Sequence, residues 1–231
     1  MRQGTYVIAE NRPVARATHR MRLWGDTTPM TAPGQFVSLA LDGFFLRRPL
    51  SVADWDAEGM TLLYKVVGEG TKALSQYPVG KTLGLLAGLG NGFALEGSEH
   101  PLLIGGGIGT PPLYCLAKAF AGRGIRCTVA LGFNAAEEAI LVEEFRALGC
   151  PVHVAYASEG RLVTRLLPEA LPGRDRYYAC GPEPMLRAVH AACPLDGQLS
   201  FETRMACGFG ACMGCSCKTQ FGNKRLCKDG P

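Results

Sequence analysis

The chain has 231 residues, among them 30 glycines and 15 prolines, and 47% of its side chains are hydrophobic against 19% charged. Such a composition supports a sizeable core made of many short elements and excludes disorder, collagen and coiled coil. The formal charge of +4 is too small and too dispersed for a nucleic-acid surface. No apolar run reaches the roughly 18 residues that cross a bilayer, and the first residues do not resemble a signal peptide. We therefore expect a cytoplasmic protein that binds neither nucleic acid nor membrane.

Residues 1–97 are predicted to form a first domain, an antiparallel β-barrel or sandwich. Short runs of β-branched, aromatic and aliphatic residues alternate here with glycine and proline, which is typical of antiparallel sheets. Only the segment around residues 71–76 has a helical pattern. The predicted strands are TYVIA, HRMRLW, QFVSLAL, the stretch after Arg48, MTLLYKVV and TLGLL.

Residues 98–202 are predicted to form a second domain with a parallel sheet. Apolar strand-like runs alternate with helix-compatible segments, and this order indicates βαβ units. The predicted strands are PLLIGG, CTVALGF, VHVAYA, RYYACG and LSFE, and the predicted helices are PPLYCLAKAFAGRG, EEAILVEEFRALG and EPMLRAVHAA.

Two strand-to-helix junctions of this second domain favour a dinucleotide. The run Gly105-Gly106-Gly107-Ile108-Gly109-Thr110 follows a strand and opens a helix, which suits a pyrophosphate, although a tight turn without ligand has the same pattern. Cys180-Gly181-Pro182-Glu183 is the second junction, where Cys180 faces the reacting ring or is simply a buried thiol at a strand end. Because no lysine or arginine follows the second strand in Gly132–Glu138, the sequence favours NAD over NADP.

Residues 203–231 have no usable periodicity and contain a cysteine cluster. Cys207, Cys212 and Cys215 have the C-x4-C-x2-C spacing of plant-type [2Fe–2S] centres, and Cys227 is the distant fourth thiolate. A structural zinc site is the alternative, but zinc motifs usually pair two C-x2-C knuckles. Cys217 is a bystander because only one residue separates it from Cys215. The thiols in apolar surroundings are predicted to be buried and inert: Cys115, Cys127, Cys150 and Cys193.

The β-rich domain contains a weaker signal, in which Arg48-Pro49-Leu50-Ser51 follows a strand and Gly70-Thr71 opens the one predicted helix. An arginine beside a small hydroxyl residue can bind a pyrophosphate and a flavin ring, and a helix start can cap a phosphate. A solvated arginine pair at a strand edge is the plainer interpretation of Arg47 and Arg48.

The order of these motifs resembles the ferredoxin reductase superfamily, and most closely the electron-transfer subunits of class B, NAD-linked dihydroorotate dehydrogenases. The resemblance covers nearly the whole chain, including Pro33–Phe36 and Leu89–Phe93, and its most specific part is the tail from Glu202 to Pro231. It implies an N-terminal antiparallel Greek-key β-barrel that binds FAD (1–97), a central parallel-sheet nucleotide-binding domain (98–202) and a small C-terminal [2Fe–2S] segment (203–231).

The resemblance also implies which residues bind each cofactor. FAD is assigned to Arg48, Pro49, Leu50, Ser51, Leu63, Tyr64, Lys65, Gly70 and Thr71. NAD is assigned to Gly105, Gly106, Gly107, Ile108, Gly109, Thr110, Cys180, Gly181, Pro182 and Glu183. The [2Fe–2S] cluster is assigned to Cys207, Cys212, Cys215 and Cys227.

The implied activity belongs to pyrimidine biosynthesis and needs no acid or base from this chain. An FMN-containing catalytic partner subunit oxidises dihydroorotate, and this chain relays the electrons through [2Fe–2S] and FAD to NAD⁺, in a heterotetramer with two copies of each subunit. One alternative is the FAD and [2Fe–2S] subunit of another NAD(P)H-linked oxidoreductase, of the ferredoxin–NADP reductase or sulfhydrogenase type. The other alternative is a non-enzymatic binding module whose cysteines hold zinc.

Overall fold

A computed structural model of the chain describes residues 1–220 and 222–230. The chain divides into two compact units, one made of Met1–Gly92 together with the segment that begins at Thr203, the other of Phe93–Glu202. The three predicted domain ranges stay a prediction, and in the third of them Phe221 and Pro231 lie outside the described residues. Within the described part of the chain, no helix combines the length and the apolar character that crossing a membrane requires.

The first unit contains a closed six-stranded barrel, as predicted. Neighbouring strands are antiparallel in the order β1-β2-β5-β4-β3-β6, and β6 closes the barrel onto β1. The strands are β1 (Arg2–Ala15), β2 (Thr18–Trp24), β3 (Phe36–Leu39), β4 (Arg48–Trp55), β5 (Gly59–Lys65) and β6 (Thr82–Leu89), and helix α1 (Glu69–Ser75) follows β5.

Side chains that point alternately inward and outward along the strands fill the barrel interior. In β6, Leu83, Leu85 and Ala87 are buried in the barrel core while the residues between them are partly exposed, the period-two pattern of a strand with one face inward. In β2, Met21 and Leu23 are completely buried in the same core. The apolar interior therefore fixes which side chains of each strand face outward.

The second unit is a parallel five-stranded sheet in the order β11-β10-β7-β8-β9. All six residues of the central strand β7 are buried, as expected for a strand covered on both faces. Strand order reverses between β7 and β10, and ligands of open α/β sheets bind beyond the carboxyl ends of strands at such a point. The strands are β7 (Pro101–Gly106), β8 (Thr128–Phe133), β9 (Val152–Tyr156), β10 (Arg176–Gly181) and β11 (Gly197–Phe201).

Of the three helices predicted for this unit two are present much as expected and one is shorter, and the structure adds a fourth, unpredicted α-helix. Helix α2 (Thr110–Ala121) follows β7, and α5 (Glu183–Ala192) has the predicted bounds. The predicted helix over residues 137–149 is shorter, because Leu141 adopts a left-handed conformation with φ of 62° and α3 (Val142–Ala147) begins only after it. Helix α4 (Leu167–Ala170) is too short to show a period in the sequence.

The cysteine-rich tail has more regular structure than its sequence pattern suggests. Strands β12 (Ser216–Thr219) and β13 (Gly222–Arg225) form an antiparallel hairpin, and helix α6 (Leu226–Asp229) follows directly. The hairpin and α6 carry Cys227 back towards the loop that holds the other three cysteines of the spaced motif. Residues too far apart in sequence to form one tight loop thereby become neighbours.

Candidate cofactor sites

Two of the predicted FAD segments meet in the first unit. Arg48 begins β4, and its guanidinium lies against the backbone of Gly70 in α1, where an added Cβ would stand 2.7 Å from Cζ of Arg48. Only glycine allows this approach. The guanidinium also lies over the Phe44 ring, 4.8 Å from its centroid. A fixed cation beside the start of a helix fits the diphosphate of a dinucleotide.

Thr71 holds the loop that enters α1. Its hydroxyl accepts hydrogen bonds from the backbone N–H groups of Val67 (3.0 Å) and Gly68 (3.2 Å), and it donates to the Gly68 carbonyl at 3.1 Å. These bonds fix the turn in front of the helix. Thr71 therefore shapes the loop beside Arg48, and its hydroxyl is engaged with the backbone.

Tyr64, another predicted FAD residue, has its ring in the barrel core. It is 1% exposed, and its hydroxyl donates to Asn11 Oδ1 at 2.9 Å. The Asn11 amide donates in turn to the carbonyls of Leu74 (2.9 Å) and Tyr77 (3.0 Å) at the end of α1. Burial raises the pKa of Tyr64, so the phenol stays protonated. Tyr64 and Asn11 together fix α1 on the barrel, a role that no sequence signal indicates for Asn11.

Ser51 links the same region to the cysteine-rich tail through Phe36. Phe36 in β3 is paired in register with Ser51 in β4. Phe36 also shares a buried apolar cluster with Leu89, Cys215 and Cys227. The segment predicted to contact the flavin and two of the predicted cluster ligands thus both neighbour Phe36.

The four predicted ligands form two pairs. The Sγ atoms of Cys215 and Cys227 lie 3.2 Å apart, and both residues are buried. In the other pair, the backbone N–H of Cys212 donates to Cys207 Sγ at 3.4 Å. Among the described residues, no three histidine, cysteine, aspartate or glutamate side chains converge as a single metal ion requires. Two separate pairs suit a binuclear cluster, in which each iron takes two thiolates, better than one tetrahedral zinc.

The loop between the pairs stabilises negative charge on sulfur. Burial alone would raise the pKa of Cys207, but hydrogen bonds from the backbone of Cys212, Phe209 and Ala211 outweigh burial and lower it to about 6. The N–H of Gly214 donates to Cys212 Sγ at 3.4 Å. Such N–H groups suit thiolates and the sulfides of a cluster.

Contacts within the first unit hold the cysteine loop in place. Arg225 donates to the Gly210 carbonyl at 2.9 Å, and Asn91 donates to the Lys228 carbonyl at 2.8 Å. Gly210 has φ of +89°, and a Cβ there would stand 2.7 Å from Cδ of Lys228. Cys217 pairs in the hairpin with Lys224, whereas Cys227 reaches Cys215. This geometry favours Cys227 over Cys217 as the fourth ligand.

In the second unit, the glycine loop and the Cys180 turn pack against each other. An added Cβ at Gly109 would stand 2.6 Å from the Gly181 nitrogen, and one at Gly181 would stand 3.1 Å from Gly106 Cα. Met185 of α5 lies against both Gly106 and Gly181. The two junctions that the sequence indicates separately therefore form one surface at the carboxyl ends of β7 and β10.

Thr110 provides a test of whether this surface suits a ligand. Its side chain is completely buried, and its hydroxyl has no hydrogen-bond partner within the described structure. Buried hydroxyls are rarely left unpaired in folded proteins. Thr110 opens the twelve-residue helix α2, and a Cβ at the neighbouring Gly107 would meet nothing within 4 Å. An orphan donor at a helix start, next to Gly105 of the glycine loop, fits an anionic group of a nucleotide.

Cys180 lies at the carboxyl end of β10 and is 4% exposed. Burial and the nearby charge of Glu202 raise the pKa of its thiol to about 12. The thiol is therefore protonated at neutral pH and acts as a small apolar group with a weak donor.

Sequence reasoning did not single out Asn11, Phe36, Asn91 and Met185. Phe36 and Asn91 lie within the two short segments that carry the resemblance, so the family pattern contained a signal for them. Asn11 and Met185 act through contacts between distant parts of the chain, and no local pattern marks them.

Comparison with known proteins gives a family match over the tail. Residues 202–231 match the family described as the iron-sulfur cluster binding domain of dihydroorotate dehydrogenase B. A relative from Caldanaerobacter subterraneus subsp. tengcongensis, called dihydroorotate dehydrogenase B (NAD(+)), electron transfer subunit, is 41% identical over 97% of this chain and 93% of its own length. A relative of the same name from Fusobacterium nucleatum is 38% identical with the same coverage.

Solved structures share the fold. A structure of an NADH-dependent reduced ferredoxin–NADP oxidoreductase has a TM-score of 0.88 and 28% identity, covering 98% of this chain and 86% of that one. Phthalate dioxygenase reductase has a TM-score of 0.72 and 16% identity, covering 88% of this chain and 70% of that one, and shows the fold alone.

Proposed function

Because the chain belongs to the family of electron transfer subunits of NAD⁺-linked dihydroorotate dehydrogenase B, we propose that it carries electrons between a catalytic partner subunit and NAD. Bound FAD can exchange single electrons with an iron–sulfur cluster and electron pairs with a nicotinamide, which is the chemistry this task requires. The chain's own residues bind and orient the cofactors, and none acts as an acid or base catalyst.

The single observation that carries this proposal is the arrangement of the four cysteines. Cys207 with Cys212 and Cys215 with Cys227 are two pairs, and backbone N–H groups favour the thiolate form of Cys207. Cys207 is partly exposed and Cys212 is exposed, whereas Cys215 and Cys227 are buried and pack with Phe36 and Leu89. We assign these four residues to one [2Fe–2S] cluster.

The FAD assignment rests on Arg48 and the segments around it. The Arg48 guanidinium and the first turn of α1 with Gly70 and Thr71 would hold the diphosphate, and Pro49, Leu50 and Ser51 follow on the same strand. Leu63, Tyr64 and Lys65 end β5, where Tyr64 serves by fixing α1 through Asn11.

The NAD assignment rests on the joint surface of the two junctions in the second unit. We assign two segments to NAD: the glycine loop with Gly105, Gly106, Gly107, Ile108, Gly109 and Thr110, and the turn with Cys180, Gly181, Pro182 and Glu183. Thr110 would donate its unpaired hydroxyl to the nucleotide. The absence of a basic residue between Gly132 and Glu138 favours NAD over NADP.

The proposed partner is a catalytic subunit that contains FMN and oxidises dihydroorotate, in a heterotetramer with two copies of each chain. We place this assembly in the cytoplasm, where clustered thiols stay reduced. A subunit of another NAD(P)H-linked oxidoreductase remains the second candidate, because the ferredoxin–NADP oxidoreductase structure covers nearly the whole chain at 28% identity. Electron transfer from dihydroorotate through the partner separates the two.

The experiment replaces one exposed ligand and compares it with the neighbouring non-ligand. Cys212→Ala should lose the cluster absorbance and the transfer of electrons from the partner, while retaining FAD and NADH-to-dye activity. Cys217→Ala should keep the cluster absorbance, the transfer from the partner, FAD and NADH-to-dye activity, because Cys217 pairs with Lys224 in the hairpin and is not one of the four assigned ligands. Unimpaired transfer from the partner in Cys212→Ala would disprove the assignment.

A further inference from the structure

Two cysteines that the proposed function does not use lie side by side in the second unit. Cys127 immediately precedes β8, and Cys150 lies two residues before β9. Val129 and Val152 are register partners in these parallel strands, and the Val129 N–H donates to the Pro151 carbonyl at 2.9 Å. Each cysteine lies two residues before its valine, so both side chains belong to the same face. Adjacent strands are about 4.8 Å apart, within the Cα separation of roughly 4.4–6.8 Å that disulfides tolerate.

The two thiols are close enough to shift each other's pKa: the Cys150 thiol and burial raise the pKa of Cys127, and the Cys127 thiol lowers that of Cys150. Cys150 is 7% exposed and Cys127 is 1% exposed, so a reagent from solvent reaches Cys150 first. Cys150 is thus the member that reacts first, and Cys127 is its neighbour in position to resolve it.

Burial alone does not distinguish this pair, which makes Cys193 a useful comparison. Cys193 is 7% exposed, the same as Cys150, and Cys127 is 1% exposed. Burial raises the pKa of Cys193, and a backbone hydrogen bond from Leu195 lowers it, so no thiol is among the groups that shift this pKa. Burial without a thiol partner therefore occurs in the same unit.

We propose that Cys127 and Cys150 are a reversible dithiol pair that a low-molecular-weight disulfide of the oxidised glutathione class converts to a disulfide. The Cys150 thiolate attacks one sulfur of the oxidant, which forms a mixed disulfide and releases one glutathione thiolate. The Cys127 sulfur then attacks Cys150, and the second glutathione leaves. Two protein thiols are oxidised, one oxidant disulfide is reduced to two thiols, and the two cysteine protons end on the released glutathione.

The disulfide would tie the amino ends of β8 and β9 together. These ends lie at the edge of the parallel sheet opposite the carboxyl ends that bear the glycine loop and the Cys180 turn. The closed loop includes α3 and the segment that follows β8. We therefore expect oxidation to stabilise the second unit against unfolding.

The test uses the full chain, purified anaerobically with its cofactors and incubated with oxidised glutathione. Remaining thiols are blocked with N-ethylmaleimide, and the chain is then digested with trypsin. Cleavage after Arg126, Arg146 and Arg161 places Cys127 in peptide 127–146 and Cys150 in peptide 147–161. We expect these two peptides to be recovered joined, with two hydrogens fewer than their sum, and to separate after dithiothreitol.

Variants identify the order of attack. Cys127→Ser should leave Cys150 joined to glutathione, Cys150→Ser should leave Cys127 alkylated, and Cys193→Ser should give the joined peptides in wild-type yield. The unfolding temperature of the oxidised wild type should exceed that of the reduced wild type by several degrees, a difference that Cys127→Ser abolishes. Recovery of both wild-type peptides fully alkylated after oxidation would overturn the proposal, whether or not any variant folds.

Discussion

The parallel sheet and the cysteine-rich tail reach ordered structure by different means. The sheet buries its own apolar side chains: Leu102, Ile104, Tyr177 and Ala179 form one core with the helices of that unit. In its described residues the tail has one small apolar cluster, in which Cys215, Cys227 and Leu226 meet Phe36 and Leu89 of the barrel. Apolar periodicity is therefore enough to predict the core of the sheet, whereas the order of a segment built around thiolates depends on its metal.

Removal of iron should produce the largest difference between the tail and the parallel sheet. A chelator applied under reducing conditions should leave the tail without its main organising bonds, because metal binding and folding are coupled in such segments. We expect hydrogen exchange to become fast throughout residues 207–220 and to stay slow in β7 and β10. Retained protection in the tail of the iron-free chain would show that its small apolar contact suffices.

A methyl group at Gly109 should damage the sheet unit strongly. The added Cβ would overlap the backbone of Cys180 and Gly181, none of which can move without shifting β10. We expect Gly109→Ala to lower the free energy of unfolding by about 3 kcal/mol, as overpacking at a rigid site does, and to abolish NADH binding. Gly122→Ala is the matched control, since its Cβ would lie 3.5 Å from the Lys118 carbonyl, and it should change stability by less than about 1 kcal/mol. Equal effects of the two would contradict the close packing of the junctions.

Thr110→Val should weaken NADH binding without lowering the stability of the ligand-free second unit. The hydroxyl is buried and unpaired, so replacing it with a methyl group of similar shape should leave the ligand-free unit unchanged or more stable by about 1 kcal/mol. The same change should weaken NADH binding about tenfold if the hydroxyl donates to the nucleotide. Thermal unfolding without ligand and calorimetric titration with NADH measure the two effects. Unchanged NADH affinity would remove Thr110 from the site.

The smallest expected effect is a pH dependence at Asp175, which fixes the loop before β7. Its carboxylate accepts from Ser98 Oγ (2.6 Å) and from the N–H groups of Glu99 (2.6 Å) and His100 (2.8 Å). Burial opposes ionisation, but these bonds outweigh it and lower the pKa of Asp175. The stabilisation that the Asp175 carboxylate provides is therefore complete above a pH of about 4, and it is lost as the pH falls through the lowered pKa. The stability difference between wild type and Asp175→Asn should shrink between neutral pH and pH of about 3, and a difference that grows on acidification would refute this role.

The sequence predicted the regular elements well wherever periodicity reflected burial. β10 and α5 have the expected bounds, because each has a face that packs into the sheet core. The helix before β9 was predicted too long, since the left-handed backbone at Leu141 breaks it and leucine carries no local signal for that conformation. The hairpin of the tail was missed because its strands are four residues each and have no apolar alternation.

The candidate sites also combine features that the sequence predicts with contacts that it does not. Spacing identified Cys207, Cys212 and Cys215, since a tight loop is a local feature, and the structure brings Cys227 to Cys215. That Arg48 lies against Gly70, or that Phe36 is the register partner of Ser51 and also packs with the buried cysteines, depends on strand order in the barrel. Such contacts join residues that are distant in sequence, and a single sequence contains no direct record of them.

The most direct test of the electron-transfer assignment is the visible spectrum of the anaerobically purified chain before and after NADH is added. We predict flavin bands together with the broad absorbance of a [2Fe–2S] cluster, both bleached by NADH and much less by the same concentration of NADPH. A colourless protein that does not react with NADH and contains stoichiometric zinc would contradict the account.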